Sequence, residues 1–83
     1  MISFEWDDAK SASNRKKHRV SFDEAVNVFG DALAITFPET DHDGREVGSR
    51  TYGMSTNGRF LVVIHTERKH NVRIISARKG NQI

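Results

Sequence analysis

The sequence predicts an α+β domain in which two N-terminal helices precede a four-stranded antiparallel meander sheet. Three observations carry that reading. Helix caps and an apolar stripe at helical spacing occupy the chain before Gly30. Runs rich in β-branched and aromatic residues, alternating with period 2, occupy the chain after it. The links between those runs are short, which antiparallel neighbours allow and parallel ones do not.

The first helix starts at Asp7, a residue type that caps N-termini, and runs to about His18. Asp8 in its first turn and Arg15, Lys16, Lys17 and His18 in its last suit the helix dipole. The second helix opens on Ser21 and Glu24, an S-x-x-E capping box, with Val20 placed to staple against Ala25. Phe22, Val26 and Phe29 form its apolar stripe, and Gly30 stops it. A strand over residues 33–37 ends at Pro38, and residues 38–45 are a polar loop. Residues 46–55 read as a weak strand carrying Gly48 and Gly53. Asn57-Gly58 is the strongest hairpin signal. Residues 60–66 and 72–78 are the central strands. Trp6, beside Phe4, anchors the first helix to the sheet.

The chain of 83 residues is one domain, 1–83. At 36% hydrophobic and 29% charged residues it folds rather than staying disordered. It has no cysteine, which excludes disulfides, thiolate metal sites, iron–sulfur ligands and cysteine nucleophiles. No apolar run is long enough for a membrane helix, and MISFEWDDAK is no signal segment. A cytoplasmic protein without a membrane partner is expected. So thin a core makes support by a partner or a second copy an expectation.

The net charge of +2 hides an asymmetry. Residues 15–19 sum to +4 and residues 59–83 to +5, whereas residues 20–46 sum to −6. If the fold joins the two basic segments, the surface attracts polyanions, nucleic acid first.

Period 2 places Phe60, Val62 and Ile64 on one face of the penultimate strand and Leu61, Val63 and His65 on the other. A three-residue turn, Lys69-His70-Asn71 with Asn71 left-handed, puts Glu67 opposite Arg73. His65, Glu67 and Arg73 then share the face away from the helices, with Leu61, Val63, Ile75 and Ala77. A two-residue turn would shift the parity and break the grouping.

Several of these residues resemble the BrnT toxin family. Phe4-x-Trp6-Asp7, Lys10, Asn14, Lys17-His18-x-Val20-x-Phe22-x-Glu24-Ala25, Phe29 and Asp31 look like its N-terminal half. His65-Thr66-Glu67-Arg68 and Arg73-Ile74-Ile75-Ser76-Ala77-Arg78 look like its C-terminal half, so the match runs from about residue 4 to residue 79. The resemblance implies a RelE/ParE-like fold and a ribonuclease that inhibits translation. It also implies a BrnA-type ribbon-helix-helix antitoxin, through which alone the complex reaches operator DNA. Two departures stand out. The family's charged C-terminal helix is replaced by Lys79-Gly80-Asn81-Gln82-Ile83. Its acidic-x-Arg pair in the second strand is blurred into Arg45-Glu46 and Arg50.

An RNA phosphodiester is cut without metal when its 2′-hydroxyl attacks the neighbouring phosphorus. Side chains must accept that proton, protonate the leaving oxygen and stabilise the phosphorane. Candidate catalytic residues are His65, Glu67, Arg68, Arg73 and Arg78, with Arg supplying a planar fork of donors. Lys17, His18, Arg19 and Lys79 are candidate RNA contacts. No acidic cluster has metal spacing, and His42 between Asp41 and Asp43 lacks partners, so no metal or other cofactor is expected. Structural roles compete for each residue: Glu67 and Arg73 as a cross-strand ion pair, His65 as a satisfied strand residue.

Three functions stay open. The first is a ribonuclease toxin neutralised by its antitoxin. The second is a shortened, weakly catalytic toxin that serves as an antitoxin-binding co-repressor. The third is a ParE-like inhibitor of a protein target. The open apolar face expected on the sheet calls for cover, by a second copy in a C₂ homodimer or by the antitoxin in a hetero-oligomer.

Overall fold

A computed structural model describes residues 2–80. Strand β1, Ser3–Glu5, leads into helix α1, Asp8–His18, then helix α2, Phe22–Val26, and a 3₁₀ turn, Asn27–Gly30. Four longer strands follow: β2, Ile35–Thr40; β3, Glu46–Met54; β4, Phe60–Arg68; and β5, Asn71–Lys79.

Local chemistry sets the helix ends. The Asp7 carboxylate accepts from the Lys10 amide at 3.1 Å, and the Ser21 hydroxyl accepts from the Glu24 amide at 3.1 Å. Arg19 closes α1 in a left-handed conformation, φ 60°, with its N–H returned to the Arg15 carbonyl. Val20 and Ala25, the expected staple, are both fully buried. Gly58 takes φ 76° in the β3–β4 turn, a conformation that glycine adopts freely. At Gly53 a Cβ would come within 2.7 Å of Val28 Cγ1, so β3 and the 3₁₀ turn approach closely only over a glycine.

The sheet has five strands in the order β1-β5-β4-β3-β2. β1 pairs with β5 in parallel, while the other neighbours are antiparallel. The expected arrangement of two N-terminal helices before four antiparallel strands, taken as RelE/ParE-like, is therefore corrected to a mixed sheet with a strand first. Three residues are too few for a periodic signal. Aromatic side chains in the strand and just after it place it instead: Phe4 packs on Phe29 with centroids 5.1 Å apart, and Trp6 meets Phe22 edge-on at 6.1 Å. Trp6 thus anchors the chain to α2.

β2 also differs from expectation, running through Pro38 rather than stopping there. It is an edge strand, where a residue without N–H forfeits no ladder bond on its outer side.

The β4–β5 turn has two residues, Lys69 and His70, with Lys69 left-handed at φ 57°. Glu67 faces Val72 and Thr66 faces Arg73, and Ile75 is the extra residue of a bulge between the Ser76–Ile64 and Ile74–His65 pairs. The expected register is thereby overturned, and with it the grouping of His65, Glu67 and Arg73 on one face. Leu61, Val63 and Ala77, expected on the open face, are fully buried with Val20, Phe22, Ala25, Val28 and Ile74. One residue of turn length decides the parity of a whole strand.

α1 lies along β5 beyond the end of β1. There the Asn14 amide stands in for a missing strand. Its Nδ2 donates to the carbonyl oxygens of Ala77 at 2.8 Å and Val20 at 2.9 Å, and its Oδ1 accepts from the Ala77 amide at 3.2 Å.

Candidate functional site

The sheet has a helix-covered face and an open face, and the expected site residues divide between them. On the covered face His65 is 2% exposed, with its ring edge-on to Phe29 at 4.8 Å. Its Nε2 is 2.7 Å from the Thr51 hydroxyl, which is 2.7 Å from the Thr36 hydroxyl. Nδ1 is buried without a hydrogen bond among the described residues; Glu67 Oε2 lies 3.5 Å away. Burial lowers the pKa of His65, and the Glu67 carboxylate partly opposes that shift. His65 and Glu67 border a cleft of about 460 Å³ beside Phe29, Thr36 and His70. Lys79, paired with Leu61, is exposed at the far end of this face.

The open face gathers the arginines. Arg73 Nη1 donates to Glu5 Oε2 at 2.8 Å, and Arg68 Nη1 is 3.8 Å from the same oxygen. Asn71 Nδ2 donates to the other oxygen of Glu5 at 3.0 Å. The bond from Arg73, then that from Asn71, hold the Glu5 carboxyl below its ordinary pKa. Arg78 is exposed, opposite Val62. At the centre, Arg50 donates from Nη1 to Glu39 Oε1 at 3.0 Å. Its guanidinium carbon lies 5.6 Å from the ring centroids of both Phe37 and Tyr52.

Lys17 and His18 border a small cleft between α1 and β5, together with Lys10, Ile75 and Ser76. They therefore adjoin the β5 edge that leads onto the open face. Arg19 does not join them. It borders a separate groove with Trp6, Arg15 and Lys16, and its carbonyl accepts from Arg59 at 2.8 Å. Arg59 is committed elsewhere, in an ion pair with the buried carboxylate of Glu24, to which Ser55 also donates at 2.7 Å.

Glu39 and Glu5 carry no signal in the sequence, and Arg50 enters there only through the blurred acidic-x-Arg pair, not as a candidate site residue. Arg50 sits in the glycine-interrupted strand whose faces were not assigned. Its signal was the alternation Arg50-x-Tyr52 opposite Phe37, visible only once β2 is extended through Pro38.

A family model described as the ribonuclease toxin BrnT of type II toxin–antitoxin systems matches residues 6–82. The chain belongs to the BrnT family. Its fold is similar to the crystal structure of the Brucella abortus ribonuclease toxin BrnT, with a TM-score of 0.75 and 22% sequence identity. That match covers 99% of this chain and 100% of the Brucella chain. No curated protein matches the sequence. On the open face Arg50, Arg68, Arg73 and Arg78 lie without a described helix above them. Among the described residues, no helix is long and apolar enough to cross a membrane.

Proposed function

We propose that this chain is a metal-independent endoribonuclease that binds RNA across the open face of its sheet and arrests translation. The observation that supports this most is the convergence of Arg50, Arg68, Arg73 and Arg78, from three strands, on that face. Arg50 receives the charge of the phosphorane through nitrogens not engaged by Glu39. Glu39, in contact with Arg50, is positioned to take the 2′-hydroxyl proton as the 2′-oxygen bonds to phosphorus; the bond to the 5′-oxygen breaks, leaving a 2′,3′-cyclic phosphate, and solvent water protonates the departing oxygen. Arg73 and Arg78 hold flanking phosphates, and Arg68 adds charge beside Glu5. Lys17 and His18 extend the track over the β5 edge. His65 supports the site from behind the sheet, since its partner Thr51 directly follows Arg50.

The chain works in the cytoplasm, where its RNA is. A BrnA-type ribbon-helix-helix antitoxin neutralises it by covering the arginine face, and operator DNA is reached through that antitoxin. The test is growth arrest on induction, run beside cleavage of purified RNA in excess chelator. Arrest with chelator-resistant cleavage is the expected result. Arrest without cleavage would contradict the proposal and point to a protein target; cleavage abolished by chelator would overturn the metal-independent mechanism.

A further inference from the structure

We infer that the substrate is unpaired RNA, held by stacking of successive bases on Tyr52 and Phe60, with one base seated in the cleft beside them. This rests on the reading that RNA lies on the open face. Phe37, Tyr52 and Phe60 come from β2, β3 and β4 and form a row of rings across that face. Phe37 meets Tyr52 edge-on at 5.8 Å, and Tyr52 lies nearly parallel to Phe60, 27° apart, at 6.1 Å. Beside them is a cleft of about 420 Å³ bordered by Leu33, Ile35, Met54 and the Tyr52 and Phe60 rings, a size found for small-molecule pockets. Leu33 is 85% exposed and Ile35 57%, so the cleft has an apolar rim open to solvent.

The spacing selects the form of the RNA. Stacked bases in a duplex rise by roughly 3 Å, so consecutive paired bases cannot each rest on rings 6.1 Å apart. A single strand whose bases are splayed can, because every base offers a π face and the backbone follows the flanking charge. Arg50, stacked beside Tyr52, and Arg78, one strand beyond Val62, supply that charge. Cations interleaved with rings fit a polyanion with aromatic bases better than an apolar protein surface.

The test is binding of a short 2′-O-methyl RNA, which cannot be cut by 2′-hydroxyl attack, as a single strand and as a duplex over a range of salt. The single strand should bind at least tenfold more tightly. Tyr52→Ala should weaken it by about five- to 150-fold with the salt slope unchanged, whereas Tyr52→Phe should bind as the parent does. Arg78→Gln should lower the slope by about 0.7. Phe60→Leu gives a second reading if Tyr52→Ala fails to fold by circular dichroism. Equal binding of duplex and single strand, or unchanged binding by folded Tyr52→Ala and Phe60→Leu, would overturn the stacking. So would a homodimer, by sedimentation, that excludes the RNA. If Arg78→Gln and Arg50→Gln also leave binding and slope untouched, RNA does not lie on this face, and the underlying reading fails instead.

Discussion

His65 lies on the helix-covered face of the sheet rather than on the open one. It has the chemistry of a general base, yet its ring is enclosed by Phe29 and its Nε2 is engaged with Thr51. Burial favours the neutral ring, so the native state binds a proton less readily than the unfolded chain does. The stabilisation this gives is complete above about pH 6.5 and declines as pH falls below it. The carboxylates of Glu5 and Glu24, held below their ordinary pKa values by Arg73 and Arg59, add a separate loss at lower pH, below about 4.5. The urea midpoint should therefore decrease in the parent between roughly pH 6.5 and 5, and that decrease should be much smaller in His65→Gln. A midpoint that rises across the same interval would show that the ring gains, rather than loses, affinity for its proton on folding.

At the scale of elements, α1 depends on a side chain more than on its own apolar face. Ala9 and Ala12 are exposed, and Asn14 is the helix's buried residue. Asn14→Ala would leave the Ala77 amide and two carbonyls without their partner in a buried setting, at a cost of about 2–4 kcal/mol. The melting temperature should drop by at least ~8 °C; a drop under ~3 °C would mean that water replaces the amide. What was legible in the sequence follows the range of the interactions. Asp7 and Ser21 act over three residues, so α1 and α2 start where their caps stand. Asn14 bonds a residue 63 positions away, and only the family resemblance marked it. β1 and the passage of β2 through Pro38 depend on edges of a sheet that does not yet exist in the linear chain. The faces of β4 depend on whether a turn holds two residues or three. The two-residue turn places His65 and Glu67 on one side of the sheet and Arg73 on the other.

At the scale of the whole molecule, the fold turns a modest net charge into a directed one. The basic end of α1 meets β5 through Lys17, His18, Ile75 and Ser76, so the segments with sums of +4 and +5 share a border. Arg19 and Arg59 are drawn away, the latter to Glu24. What remains is a face with arginines at its centre and rim, backed by a core in which His65 is a buried support. The central claim is that chemistry belongs to the arginine face and not to the histidine behind it. The most direct measurement compares RNA cleavage rates of folded Arg50→Ala and His65→Gln. Arg50→Ala should lose about 10²–10³-fold, the usual effect of removing one donor to a developing charge, while His65→Gln stays within tenfold of the parent. An Arg50→Ala protein that cleaves at the parent rate, beside an inactive but folded His65→Gln, would contradict the account.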